Sequence, residues 1–111
     1  MRQLNVFWND KLAGELTELA PNNGYLFEYD PTYLKSDLPH VSITLPKTKT
    51  LYKSKLLFPF FSNMLPEGAL RRVVCREHHV DENDLFGILS IMTNADSIGA
   101  VSLKKPRHEK E

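Results

Sequence analysis

The hydrophobic pattern of this chain changes its period near Phe58, and that change limits the folds open to it. Before it, apolar residues recur at every second position, as in Leu4, Val6 and Trp8 or Val41, Ile43 and Leu45. After it they recur at three and four positions, as in Leu85, Ile88, Leu89 and Met92. Period two marks strands with one buried face, and the longer period marks helices with one buried stripe. Gly99-Ala100-Val101-Ser102-Leu103 then reads as a last strand. Strands first, helices next and one strand at the end give an α+β domain, a small mainly antiparallel sheet with helices packed on one face.

The strand half divides at its turn signals. Leu4 to Trp8 and a second extended run through Leu12, Gly14, Leu16 and Leu19 form a hairpin around Asn9-Asp10-Lys11. Pro21-Asn22-Asn23-Gly24 makes the next turn, since Asn and Gly tolerate positive φ, and feeds the short aromatic strand Tyr25 to Tyr29. Asp30-Pro31 opens a single helical turn, the aspartate as cap and the proline in the first turn. His40 to Leu45 alternates most cleanly of all and is expected as a strand with Val41, Ile43 and Leu45 on one face.

In the helical half, Phe60 to Leu65 has helical apolar spacing, and Pro66-Glu67 is expected to open the next helix. That helix would bury Leu70, Val73 and Val74 and turn Arg71, Arg72, Arg76 and Glu77 outward. Asp81 to Asp84 caps a further helix with Leu85, Ile88, Leu89 and Met92 inward. Residues 1–103 thus form one domain, and 104–111 is a charged C-terminal tail around Pro106. One compact core is what 111 residues allow.

Function classes narrow by charge and spacing. Fourteen basic residues balance fourteen acidic ones, so the basic excess of a free-standing nucleic-acid binder is missing. Near-neutrality also lowers solubility, which suits a protein that lives in a complex. A single cysteine, an N-terminus without a signal-peptide pattern and no apolar run of the roughly 18 residues a bilayer requires point to the cytoplasm. Gly14, Gly24, Gly68, Gly87 and Gly99 stand singly, so no phosphate-cradling loop can be built and no cofactor is expected. No catalytic-loop signature of a kinase is present, and Asn94-Ala95-Asp96 reads as a turn. Cys75, His78 and His79 supply too few ligands for a metal site, and Cys75, a half-buried thiol, has no aligned base. No catalytic or metal residue is expected.

Three features suit a partner surface as well as a structural role. Lys47, Lys49, Lys53 and Lys55 fall on one side of an extended segment, where they either guard a sheet edge or meet acidic groups. Trp8 is either core or an interface anchor. Phe58, Phe60, Phe61, Met64 and Leu65 cover more than one helix face, so part of the cluster closes the core or stays open to a partner.

The run Phe60-Phe61-Ser62-Asn63-Met64-Leu65-Pro66-Glu67-Gly68-Ala69-Leu70, followed by Asp96-Ser97-Ile98-Gly99-Ala100-Val101-Ser102-Leu103, resembles the N-terminal subdomain of HipA-type serine/threonine kinases of bacterial toxin–antitoxin systems. The resemblance covers nearly the whole chain and implies a domain that packs on a kinase without taking part in phosphoryl transfer. Because the chain stops at Glu111, it implies the subdomain made as a separate protein, as in the three-component HipBST arrangement. There a HipS-like antitoxin restrains a HipT-like kinase in the company of a HipB-like helix-turn-helix DNA binder. The runner-up is a non-catalytic N-terminal structural segment of a full HipA-like kinase. The expected partner-binding residues are Phe60, Phe61, Met64, Leu65, Pro66, Glu67, Ala69 and Leu70. Some relatives carry a bulky aromatic directly after Leu-Pro-Glu-Gly; Ala69 stands there in this chain.

Overall fold

The computed structural model describes residues 1–92 and 101–105. Strands β1 (Arg2–Trp8), β2 (Lys11–Ala20), β3 (Asn23–Tyr29), β4 (Leu51–Ser54) and β5 (Val101–Lys104) form one sheet of order β4-β3-β2-β1-β5, every neighbouring pair antiparallel. Four helices accompany them among the described residues: α1 (Pro31–Leu34), α2 (Pro59–Ser62), α3 (Gly68–His78) and α4 (Leu85–Ile91). This is the expected α+β architecture. The Asn94-Ala95-Asp96 turn, Gly99, Ala100 and the tail beyond Lys105 lie outside the described residues.

Both hairpin turns place an asparagine in the left-handed region, Asn9 at φ 53° and Asn22 at φ 52°, as the tight connections require. Between them the β1–β2 ladder shifts register, Val6 pairing with Gly14 and Phe7 with Leu12. Ala13 is the extra residue of this bulge and is itself buried. The shift corrects the expected phase of β2: Leu16 is buried with Leu4 and Val6, but Leu12 leaves the core and is 40% exposed. Gly14 beside the bulge touches β3 so closely that a Cβ would stand 2.4 Å from the Glu28 carbonyl oxygen and 2.9 Å from the Phe27 ring.

One sheet face carries Leu4, Val6, Leu16, Tyr25, Phe27, Tyr29, Val101 and Leu103, all buried. Phe58 and Phe61 from the α2 turn, Cys75 from α3 and Phe86, Ile88 and Leu89 from α4 complete the same core. Trp8 packs against it while staying half-buried. The register places Phe7, Leu12, Glu15, Thr17, Leu26 and Glu28 on the opposite face.

Two helix starts follow the sequence chemistry. The Asp30 carboxylate accepts from the Thr32 and Tyr33 amides at the start of α1, and Asp84 accepts from the Gly87 amide at the start of α4. Asp84 is also held by Arg2, whose guanidinium reaches it at 2.7 Å and the buried Glu18 at 2.5 Å. This ion triad ties the first strand to the last described helix.

His40 to Leu45 is not a strand. Val41 and Leu45 are buried, yet Ile43 between them is 85% exposed. The chain turns there: the Leu45 amide donates to the Ser42 carbonyl at 2.9 Å, and the Ser42 hydroxyl accepts from the Thr44 amide at 3.2 Å. The Tyr29 hydroxyl closes the turn, accepting from the Val41 amide at 2.9 Å and donating to the Leu45 carbonyl. Local Ser and Thr hydrogen bonds thus outcompete the ladder that the alternation suggested. The lysine row is divided as well. Lys53 lies on the edge strand β4, whereas the Lys47 ammonium donates to the Ser36 and Leu38 carbonyls and sits 5.0 Å over the Tyr33 ring.

Candidate partner-binding surface

Residues 58–78 carry the expected partner segment, and the fold splits it in two. Pro59 fixes the first turn of α2, a single turn that ends at Ser62. Its geometry drives Phe61 to the centre of the core, where the ring lies 5.3 Å from Phe60, 5.9 Å from Phe27 and 6.4 Å from Phe58. Phe61 and Leu65, expected at the partner surface, are buried and present no side-chain face to a second protein. Phe60 and Met64 are half-buried and packed on the core. Pro66 is half-buried, and Glu67, Ala69 and Leu70 are exposed.

The second helix begins two residues later than expected. Glu67 is the cap residue in an extended conformation, its side chain making no capping bond, and Gly68 opens α3 at φ 58°, where no side chain is needed and no neighbour crowds it. Pro66 therefore lies outside the helix, and its carbonyl accepts from the Arg71 guanidinium at 3.0 Å. The expected inward stripe of Leu70, Val73 and Val74 is corrected: Cys75 is the buried residue of α3, Leu70 is 60% exposed and Val73 is 44% exposed. At 3.6 residues per turn Cys75 points about 160° away from Val73. The helix is thus anchored through Cys75 and presents Ala69, Leu70 and Val73 to solvent as a ridge, flanked by exposed Arg72 and Arg76. Among the described residues neither arginine enters an ion pair.

Sequence reasoning assigned Leu70 to both the buried stripe and the partner segment, placed Val73 in the buried stripe, and turned Arg72 and Arg76 outward without a role. The signal that separates the two faces is the small Cys75, the buried residue of α3. Cys75 is fully rather than half buried, and burial pushes its thiol above the usual range, so the thiolate is disfavoured there. His79 closes the helix in the left-handed conformation at φ 57°. Among the described residues no three His, Cys, Asp or Glu side chains converge as a metal group.

What the described geometry defines is a small α+β module with an outward apolar helical ridge. Comparison with known proteins gives the family: the chain belongs to the HipA N-terminal domain family, which matches residues 4–104. It is 29% identical over 107 residues to an uncharacterised protein of Haemophilus influenzae, covering 96% of this chain and 95% of that one. It is 30% identical over 106 residues to a protein of Sinorhizobium fredii described as a putative kinase, covering 93% of this chain and 24% of that protein. A solved structure of the N-terminal domain of HipA toxin superposes with a TM-score of 0.71 at 27% identity, covering 100% of this chain and 96% of that one. The HipA N-terminal domain is a non-catalytic domain.

Proposed function

We propose that this chain is the HipS-like antitoxin of a three-component toxin–antitoxin system, a non-enzymatic cytoplasmic protein that binds and restrains a HipT-like serine/threonine kinase. A HipB-like helix-turn-helix DNA-binding protein completes the assembly. The observation that carries the reading is the contrast in coverage. The fold accounts for 95% of the Haemophilus influenzae relative but for 24% of the putative kinase, so the same domain occurs as nearly all of one protein and as a part of another. The surface supports it too, since the ridge that follows Leu65-Pro66-Glu67-Gly68 is apolar, exposed and carried by a helix, the form in which a partner's groove takes an amphipathic helix. With Ala69 in place of a bulky aromatic, Leu70 and Val73 are the side chains large enough to fill such a groove.

The match to the putative kinase favours a second reading, a structural N-terminal segment of a larger kinase. Both readings are tested by one preparation: the chain is purified and mixed with the separately made kinase, and binding and kinase autophosphorylation are measured together. The antitoxin reading requires a stable complex and a large fall in phosphorylation. Binding with undiminished kinase activity favours the structural segment, and absence of binding refutes both. ATP turnover by the chain alone would refute its non-enzymatic role.

A further inference from the structure

The open face of the sheet, opposite the helices, carries an unsatisfied pattern of charge. Glu15 on β2 and Glu28 on β3 are directly opposed across the ladder, an arrangement in which like charges repel. The Gln3 side-chain amide donates to Glu15 at 3.3 Å, but among the described residues neither carboxylate has an ion-pair partner. With Asp30 they line a cleft of about 260 Å³ beside the bulge. Lys104 and Lys53 border the face on the outer strands β5 and β4, the Lys104 ammonium 5.1 Å over the Phe7 ring. The next row of side chains holds Phe7 paired with the exposed Leu12. An apolar pair therefore lies two residues along β1 from the carboxylate row, an offset of roughly 7 Å at the rise of a strand.

The α3 ridge is the complement of this pattern. Leu70 and Val73 form an apolar pair one turn apart, with exposed Glu77 one turn beyond Val73, and Arg72 and Arg76, which line a cleft with Asp81 and Glu82 but enter no ion pair among the described residues, form a cationic stripe on the flank. The two stripes are separated by roughly 9 Å across a helix of about 10–12 Å diameter. From these two surfaces we infer that the occupant of the open sheet face is the α3 ridge of a second copy of this chain. Leu70 and Val73 cover Phe7 and Leu12, and Arg72 and Arg76 enter beside Glu15 and Glu28. The ridge and the open face are on opposite sides of the sheet, because Cys75 anchors α3 in the core on the helical side. The contact is therefore head to tail and continues past a dimer. Resting on the proposed function, self-association occupies the very ridge assigned to the kinase, so the kinase and a second copy compete for it, and the free antitoxin is held in reserve.

Sedimentation over micromolar to millimolar concentrations tests the inference on three preparations: the wild-type chain, a face variant (Glu15→Lys with Glu28→Lys) and a ridge variant (Arg72→Glu with Arg76→Glu). Wild-type mass should rise with concentration past that of a dimer and fall back in high salt. Each variant alone should stay monomeric, and mixing the two should restore association, since each then meets a surface of opposite sign. The inference is overturned if the wild type stays monomeric throughout, if either folded variant associates like the wild type, or if the mixture does not associate. Should the face variant fail to fold, the exposed Glu28→Lys alone takes its place, with an expected loss of at least fivefold in association. Kinase binding measured on the same preparations separates the two ideas: a chain that self-associates but ignores the kinase sinks the antitoxin reading and leaves this one standing.

Discussion

The ion triad around Arg2 offers the most quantitative test of the fold. The Arg2 side chain donates to Glu18 through Nε at 2.8 Å and Nη2 at 2.5 Å, and to Asp84 through Nη1 at 3.1 Å and Nη2 at 2.7 Å. Arg2→Met keeps much of the aliphatic stem and removes the charge, together with the guanidinium that lies 5.3 Å over the Phe86 ring. Glu18 is 2% exposed and, among the described residues, would be left with the Asn22 amide at 2.9 Å and the Tyr25 hydroxyl at 3.3 Å as its donors. Removing one partner of a fully buried pair costs about 3–5 kcal/mol. Here Arg2 is 40% exposed and two other donors remain, so about 2–3 kcal/mol is expected, while the Asp84 arm, 32% exposed, adds less than about 1 kcal/mol. At roughly 2 cal/mol/K per residue of unfolding entropy, this lowers Tm by roughly 10 °C. The hydrogen bond from Arg2 holds the Asp84 carboxyl below its ordinary range. A carboxyl lowered by folding contributes stability at neutral pH and loses it as pH falls through the folded value, whereas the Arg2→Met variant keeps only the share that the Gly87 amide supplies and has less to lose. The gap between wild type and variant should therefore be widest near neutrality and narrow below about pH 4. Thermal melts of both proteins between pH 7 and pH 3 read this out. A Tm drop under about 3 °C, or a gap that stays constant with pH, would refute the reasoning.

Phe61→Ala should cost about 3–5 kcal/mol because the ring is wholly buried, whereas Leu70→Asp should leave the melting curve in place and weaken kinase binding at least tenfold; equal loss of stability in both would remove the division of residues 58–78 into core and surface. Gly14→Ala drives a methyl into the Glu28 carbonyl and should cost more than about 2 kcal/mol, measured by urea denaturation, so a neutral result would mean that the bulge relaxes. Tyr29→Phe deletes the hydroxyl that bridges Val41 and Leu45, and the resulting loss of about 1–3 kcal/mol should come with faster amide exchange at Val41.

The parts of the fold legible in the sequence are those where a local signal and the tertiary environment agree. The Asp30-Pro31 and Asp84 helix starts, both hairpin turns and the final strand from Val101 come from short-range chemistry that packing reinforces. Misreadings arise where a single residue changes the phase. Ala13 adds one position to β2 and turns Leu12 to solvent, an insertion that alternation alone does not reveal. In Val41 to Leu45 the alternation misleads: Val41 and Leu45 are buried but Ile43, which a strand would place beside them, is exposed, because a tight turn decides which side chains face the core. The ridge on α3 was hidden because Leu70, Val73 and Val74 have the composition of a core stripe. Which side of a helix faces the sheet is decided by fit, and that fit is a property of the assembled core rather than of the helix.

The placement of β5 beside β1 has a consequence for synthesis on the ribosome. Val6 pairs with Leu103 and Asn5 with Lys104, so the strand of this domain that leaves the exit tunnel first is completed by the one that leaves last. Until residue 104 emerges, the outer edge of β1 has free backbone donors and acceptors, an invitation to strands of other nascent chains. Closing the longest loop in the fold late should also make that docking the slow step of folding. A growing chain would then hold a hairpin and a partial core, and acquire its finished sheet only once β5 is clear of the ribosome.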